Sequence, residues 1–283
     1  MVGRRLLMRG HRWSQSRRRL SDDHRPVQIR RPSFSETDVL HMDNHMLFIN
    51  KPAGILSQGD RTGDVDVLAL ARKYIRVAAN KPGEAFAATV HRLDRPVSGV
   101  MCVARTSKAA ARLCASFRER NGVEKWYHAI VAGRLSGSGM REDVIVSPTA
   151  SRNSEAVVKN GRGPRAARAI LQWEAVDLSH PRTLVRLKLV TGRKHQIRIQ
   201  LAHMGHPVVG DVRYGRSRRG EREKNGSIQY PSILPLDMRP LEDRSIMLHA
   251  SELAVPHPTR PGETVRVRAS PPRTWLELCG RDV

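Results

Sequence analysis

The sequence is short of cysteine, aromatic residues, acidic groups and long apolar runs, and each shortage removes a class of protein. Cys102, Cys114 and Cys279 are odd in number and share no CxxC spacing, so they suggest neither a disulfide framework nor a zinc site, and a reducing compartment is expected. None of the twelve histidines lies in an HExxH or a Cys/His grouping, so no metal-ligand pattern is present. No stretch reaches the roughly 18 apolar residues of a membrane-spanning helix. Arg4 and Arg5 precede only a three-residue apolar run, too short for a secretory signal. Phe, Trp and Tyr make up 4% of the chain, too few for a module that stacks base after base, although one tyrosine suffices for one base.

The shortage of acid is the most informative. Fifty Lys and Arg against 27 Asp and Glu leave a net charge of +23. Such a balance points to a polyanionic partner, nucleic acid before an anionic membrane surface. Ten arginines and two aspartates place +8 of that charge in residues 1–31 and leave +15 on the rest, so the body is basic without its leader. That leader has no acidic residue before Asp22 and mixes Arg with Leu, Met, Trp and Ser, the composition of a mitochondrial presequence. The plainer reading is a basic arm that adds phosphate contacts. At 283 residues the chain has room for one large domain or two small ones.

Residues 1–37 read as leader and linker, and the folded part is expected from residue 38 onward. MLFIN (46–50) is the first strand signal, stopped by Lys51-Pro52. Leu68, Ala71, Ile75 and Ala78 recur at helical spacing behind Asp64, a candidate cap. GVMCVAR (99–105) reads as a buried strand, followed by a helix from Thr106 or Ser107 that buries Ala110, Leu113, Cys114 and Phe117. KWYHAIVAG (125–133) is a strand that the Gly-rich LSGSGMRED is expected to end, and strands follow near 168–177 and 183–191. HQIRIQLAHMG (195–205) reads as a helix with Ile197, Leu201 and Met204 on one face, Lys194 and Arg198 on a neighbouring one, and Gly205 as its stop. The charged stretch 215–231 reads as a loop, and MLHASELAVPHP and ETVRVRAS supply the last strands. Many strands with a few helices between them predict an α+β domain.

HRLDRPVSGV (91–100) sets Asp94 between Arg92 and Arg95 in a loop that enters a core strand, with Ser98-Gly99 allowing close backbone approach. Positive surroundings favour the charged form of a carboxylate, which can serve as nucleophile or base. A structural salt bridge is the alternative on spacing alone. GRLSGSG has neither the Lys-Ser/Thr ending nor the strand-to-helix setting of a phosphate loop, and Ser98 is not in a GxSxG elbow.

HRLDRPVSGVMCVARTSKAA resembles the catalytic motif of the RluA-type pseudouridine synthases. DVLHMDNHMLFINKPAGILSQG is similar to that family's opening segment, KWYHAIVAG to its K-x-Y strand, and TGRKHQIRIQLAHMGHPVVGDVRYG to its C-terminal signature, in the same order over about residues 38–275. The resemblance implies one catalytic domain over 38–283, with a mixed, largely antiparallel sheet flanked by helices around a central basic cleft. It implies isomerisation of uridine to pseudouridine in RNA, without cofactor or metal, after the base is flipped into a pocket.

Residue by residue, Asp94 matches the essential aspartate, Tyr127 the tyrosine that packs on the target base and is placed for proton transfer, and Arg198 the arginine that pairs with the aspartate. Arg92 matches the arginine that enters the RNA stack, and Arg193 and Lys194 read as phosphate contacts or as a solvated basic face. The aspartate can stabilise positive character on the sugar or remove a proton, and the resemblance does not choose. Val97 stands where the family usually has Thr and Gln200 where it often has His, both outside the catalytic set. The roughly 37 residues before the first motif are too few for the S4 RNA-binding domain of many bacterial relatives. Expected partners are RNA, ribosomal RNA first, with a ribosome assembly particle as a further setting. The protein is expected to be a monomer when free and to have no membrane partner. An RNA-binding assembly factor with incidental catalysis is the rival.

Overall fold

The computed structural model describes residues 38–80, 83–146, 157–158, 166–177, 181–215, 241, 245–272 and 275. The leader and the expected loop after residue 215 lie outside the described residues. In chain order the elements are β1 (Val39–Met42), β2 (Met46–Lys51), α1 (Val67–Ala78), β3 (Ala88–Thr89), β4 (Ser98–Ala104), α2 (Ser107–Glu119) and β5 (Glu124–Ala132). Then come β6 (Ser138–Val146), β7 (Val157–Val158), β8 (Ala166–Asp177), β9 (Arg182–Leu189), α3 (Gln196–His203), β10 (Leu248–Pro256) and β11 (Thr264–Arg268).

The strands form one sheet in the order β1-β2-β4-β10-β5-β9-β8-β6-β7, with β11 paired to β10 and β3 to β4. Among the described strands only β4 and β10 run parallel. This is the α+β class that many strands with a few helices predict, with the mixed, largely antiparallel sheet that the resemblance implies.

Two expectations shift. LSGSGMRED does not simply end a strand: Ser138 opens β6, which pairs with β8 from Ser138↔Glu174 to Val146↔Ala166. A long partner ladder overrides the poor strand propensity of Gly and Asp. The cap of α1 is Asp66, which accepts from the Ala69 N–H at 2.8 Å, whereas Asp64 pairs with Arg95. Thr106 caps α2 as its hydroxyl chemistry suggests. Ala109 and Leu113 are its buried residues, and Ala110, Cys114 and Phe117 are partly buried beside them.

β4 is buried along its whole length because both faces are covered. Met101 and Val103 join Leu47, Ile49 and residues of α1 in one core, while Val100, Cys102 and Ala104 join Phe48 and the α2 side chains in the other. Tyr127, Ile197 and Leu201 belong to the first core, so α3 and Tyr127 share that face of the sheet. The parallel seam is tight. Gly99 has φ +116°, and a Cβ there would lie 2.3 Å from the Ala250 carbonyl oxygen, so only glycine lets β4 reach β10.

Two histidines are locked into this packing. His91 Nε2 accepts from the Cys102 N–H at 2.9 Å, and His249 Nδ1 lies 2.9 Å from Ser98 Oγ with Nε2 3.1 Å from the Ala269 carbonyl oxygen. Burial pushes their pKa values down to about 3 and about 4, from an ordinary 6.5. The unfolded chain therefore binds two protons that the fold refuses. Their contribution to stability is complete above about pH 6.5 and is lost as the pH falls toward 4. Urea midpoints should fall across that window. His249→Gln, which keeps a donor and an acceptor without titrating, should flatten the dependence by about one proton.

Candidate active site

Asp94 sits in the loop between β3 and β4, and the carbonyls of that loop from Leu93 to Pro96 are all held. The Leu93 carbonyl accepts from Ser57 Oγ at 2.6 Å, and the Asp94 carbonyl accepts from the Val97 N–H at 3.0 Å. The Arg95 carbonyl accepts from the Gly54 N–H at 2.8 Å and from Lys51 Nζ at 3.3 Å, and the Pro96 carbonyl accepts from the Ile246 N–H at 3.1 Å. A loop whose four successive carbonyls all have partners presents its side chain in a fixed direction.

The carboxylate meets an arginine from far along the chain. Arg198 Nη1 donates to Asp94 Oδ2 at 2.9 Å, while Nε and Nη2 of the same guanidinium donate to Asp211 at 2.6 and 2.9 Å. The Arg198 side chain is 7% exposed and that of Asp211 1%, against 26% for Asp94. Burial opposes the charge on Arg198, but the bonds and charges of Asp211 and Asp94 outweigh it and raise the pKa. Asp211 takes the two-pronged side of the guanidinium. One cation thus faces two carboxylates, and Asp94, the more open of the two, keeps net negative charge.

His195 and Tyr214 complete the wall. His195 Nε2 lies 3.7 Å from Asp94 Oδ1, and its Nδ1 lies 2.7 Å from Tyr214 Oη. Burial lowers the His195 pKa to about 4 against the pull of Asp94, and burial raises that of Tyr214 to about 12. At neutral pH the ring is uncharged and the phenol protonated. All three groups are served when Tyr214 donates to Nδ1 and the ring proton sits on Nε2, toward Asp94. His195 reaches this place through a left-handed backbone, φ 56°, at the start of α3, a conformation that costs a non-glycine residue about 1 kcal/mol or more.

Tyr127 projects from β5 on the same face and is 7% exposed. Burial, helped by the negative charge of Asp94, raises its pKa, so the phenol keeps its proton at neutral pH. Lys51 has no exposed surface, and its Nζ also donates to the Pro52 and Ile55 carbonyls at 2.8 and 3.0 Å. Burial lowers its pKa to about 7, with Asp94 pulling the other way and Arg95 adding to the depression.

The structure thus brings Asp94, Arg198 and Tyr127 to one face, and the other expected site residues bond to none of them among the described residues. Arg92 is exposed and has no hydrogen-bond or ion-pair partner among the described residues. Arg95 points away from Asp94, donating to the Gly54 carbonyl at 2.8 Å and pairing with Asp64 at 2.8 Å. The arginines adjacent to Asp94 in sequence therefore do not hold it. Arg193 donates to the Arg168 carbonyl at 2.9 Å, and Lys194 is exposed. Lys194 lies in the turn before α3 rather than on it, because the helix begins at Gln196. Lys51, Asp211, His195 and Tyr214 carry no sequence signal of their own, since each lies inside a longer motif segment with nothing to mark its burial.

Residues 45–203 match the family described as RNA pseudouridylate synthase. The chain belongs to the pseudouridine synthase family. The protein is 33% identical over 256 residues to tRNA pseudouridine synthase C of Yersinia pestis, covering 85% of this chain and 89% of that protein. It is 29% identical to ribosomal large subunit pseudouridine synthase D of Zymomonas mobilis, covering 82% and 70%. Human RNA Pseudouridylate Synthase Domain Containing 4 shares its fold at a TM-score of 0.62, with 23% identity over 84% of this chain and 90% of that one. This pseudouridine synthase is therefore an RNA-modifying isomerase of the RluA type.

The two carboxylates of the enzyme should separate in a stability measurement. Asp211→Ala strips the two-pronged partner from a buried guanidinium and should cost on the order of 3 kcal/mol in urea unfolding. Asp94→Asn leaves that fork intact at a more open position and should cost about 1 kcal/mol or less.

Proposed function

We propose that this synthase acts on a uridine in structured RNA, ribosomal RNA first, with Asp94 as its essential carboxylate. The observation that carries the reading is the guanidinium of Arg198 shared between Asp211 and Asp94, which fixes a partly open carboxylate of net negative charge beside a buried tyrosine. The reaction breaks the bond from C1′ to N1 and joins C1′ to C5, with a proton lost from C5 and one gained at N1. An anionic Asp94 at the ribose stabilises positive charge as uracil departs. Tyr127 packs on the base, and its raised pKa supports donating a proton rather than removing one in the resting state. No cofactor or metal takes part.

A stacked uridine cannot present C1′ to a side chain, so it is flipped out, at a cost of a few kcal/mol in lost stacking. Exposed Arg92 enters the gap, and Arg193 and Lys194 at the head of α3 contact phosphates. The charge of +23 supports an RNA substrate; a relative named for the large ribosomal subunit supports ribosomal RNA, met free or in an assembly particle, and a relative named for tRNA makes transfer RNA the alternative. A monomer suffices for this chemistry. The basic, acid-poor leader supports a mitochondrial destination, with the cytoplasm or nucleus as the alternative.

Asp94→Asn should reduce pseudouridine formation by at least about a thousandfold. RNA affinity, carried by phosphate contacts, should change little. Pseudouridine maps of organellar and cytosolic RNA, with and without the protein, identify the target. If the Asp94→Asn form restores growth to a deletion strain without restoring the modification, the protein acts instead as an RNA-binding assembly factor.

A further inference from the structure

Successive residues of β5 point to opposite faces, so while Tyr127 serves the Asp94 side, Trp126 and His128 face the other. There they line a groove of about 690 Å³ together with Arg186, Glu174, Ser251 and Val176. Two register breaks shape it. Ser251 is the extra residue of β10 between the pairs Ala250↔Tyr127 and Glu252↔Trp126, and Val176 is the extra residue of β8 between Ala175↔Val185 and Asp177↔Leu184. Bulges re-aim side chains beside sites.

Several polar groups of this groove lack partners among the described residues. Ser251 is 7% exposed, and neither its Oγ nor the buried Nδ1 of the half-buried His128 has a hydrogen-bond partner among the described residues. Buried polar atoms are almost always satisfied, so two orphans on one wall ask for an outside partner. Arg186 Cζ lies over the Trp126 ring, 4.2 Å from its centroid, and its exposed guanidinium bonds to no described residue. Glu252 is already held by Arg266 and by Arg268, the latter at 2.6 Å, whereas Glu174, opposite Arg186 across the strands, has no ion-pair partner among the described residues.

We propose that this groove is a second RNA site, separate from the Asp94 side, that takes one unpaired nucleotide with an amino-bearing base. The base stacks on the Arg186–Trp126 pair, as bases do on guanidinium and indole planes. Its exocyclic amine donates to Glu174. The 2′-hydroxyl, both donor and acceptor, meets the orphaned Ser251 Oγ and the neutral ring of His128. Because Trp126 and Tyr127 are neighbours on one strand, a nucleotide held here anchors the same RNA from which the opposite face takes its uridine.

The test uses the full chain and an oligoadenylate of about 12 nucleotides, which has no uridine for the catalytic side. It should bind more tightly as RNA than as DNA. Arg186→Gln at the exposed stack should weaken it about tenfold. Ser251→Val should reduce the RNA-over-DNA preference. No measurable binding, equal binding of the two oligomers, or undiminished binding in both variants would overturn the second site. The Asp94→Asn activity assay is read separately, so either reading can fail without the other.

Discussion

A single guanidinium held between two carboxylates is the constraint around which the site is arranged. Asp211 is almost fully buried and grips Arg198 through two hydrogen bonds, which sets the plane of the guanidinium and leaves Nη1 for Asp94. A buried ion pair is poor evidence of net stability, because desolvation consumes much of the attraction. Its geometric consequence is larger. The aspartate is tied to one direction, yet its charge is only partly cancelled.

That grip works only if α3 is seated at the right height on the sheet, and buried amides seat it. Gln196 accepts from the Arg193 N–H and Thr191 Oγ1 and donates to the Ile170 carbonyl and Gln200 Oε1. Gln200 donates in turn to Asp143, which Arg141 also holds. Every residue from Gln196 to Leu201 is buried, polar ones included. The network satisfies the groups that burial would otherwise penalise, so Gln200 is a structural member of this set and bonds to none of Asp94, Tyr127 and Arg198 among the described residues.

The opposite edge of the site is fixed by backbone. The Asp94 loop has its four carbonyls from Leu93 to Pro96 bonded to Ser57, Val97, Gly54 and Lys51, and Ile246. Gly99 then lets β4 close on β10. Helix and loop reach Asp94 from segments 104 residues apart, and the sheet between them turns Tyr127 to one side and Trp126 to the other.

By itself the sequence determined the charge class and most strands and helices, because periodicity is a local property, while Asp94, Tyr127 and Arg198 were marked by the resemblance of four short motifs to a known family. It misled where a local pattern met a distant partner. LSGSGMRED looked like a terminator until β8 supplied its ladder, α3 looked amphipathic although its polar residues are buried, and Arg92 and Arg95 looked like the guards of Asp94 although neither binds it. Only the tertiary structure decided that Arg198 is shared with Asp211, that His195 is neutral beside the aspartate, and that Ser251 Oγ and His128 Nδ1 are left without partners among the described residues. The physical reason is common to all three. Burial and hydrogen-bond closure depend on how segments meet in space, which periodicity and spacing do not specify even where, as for Arg198 and Asp211, both residues lie in one motif.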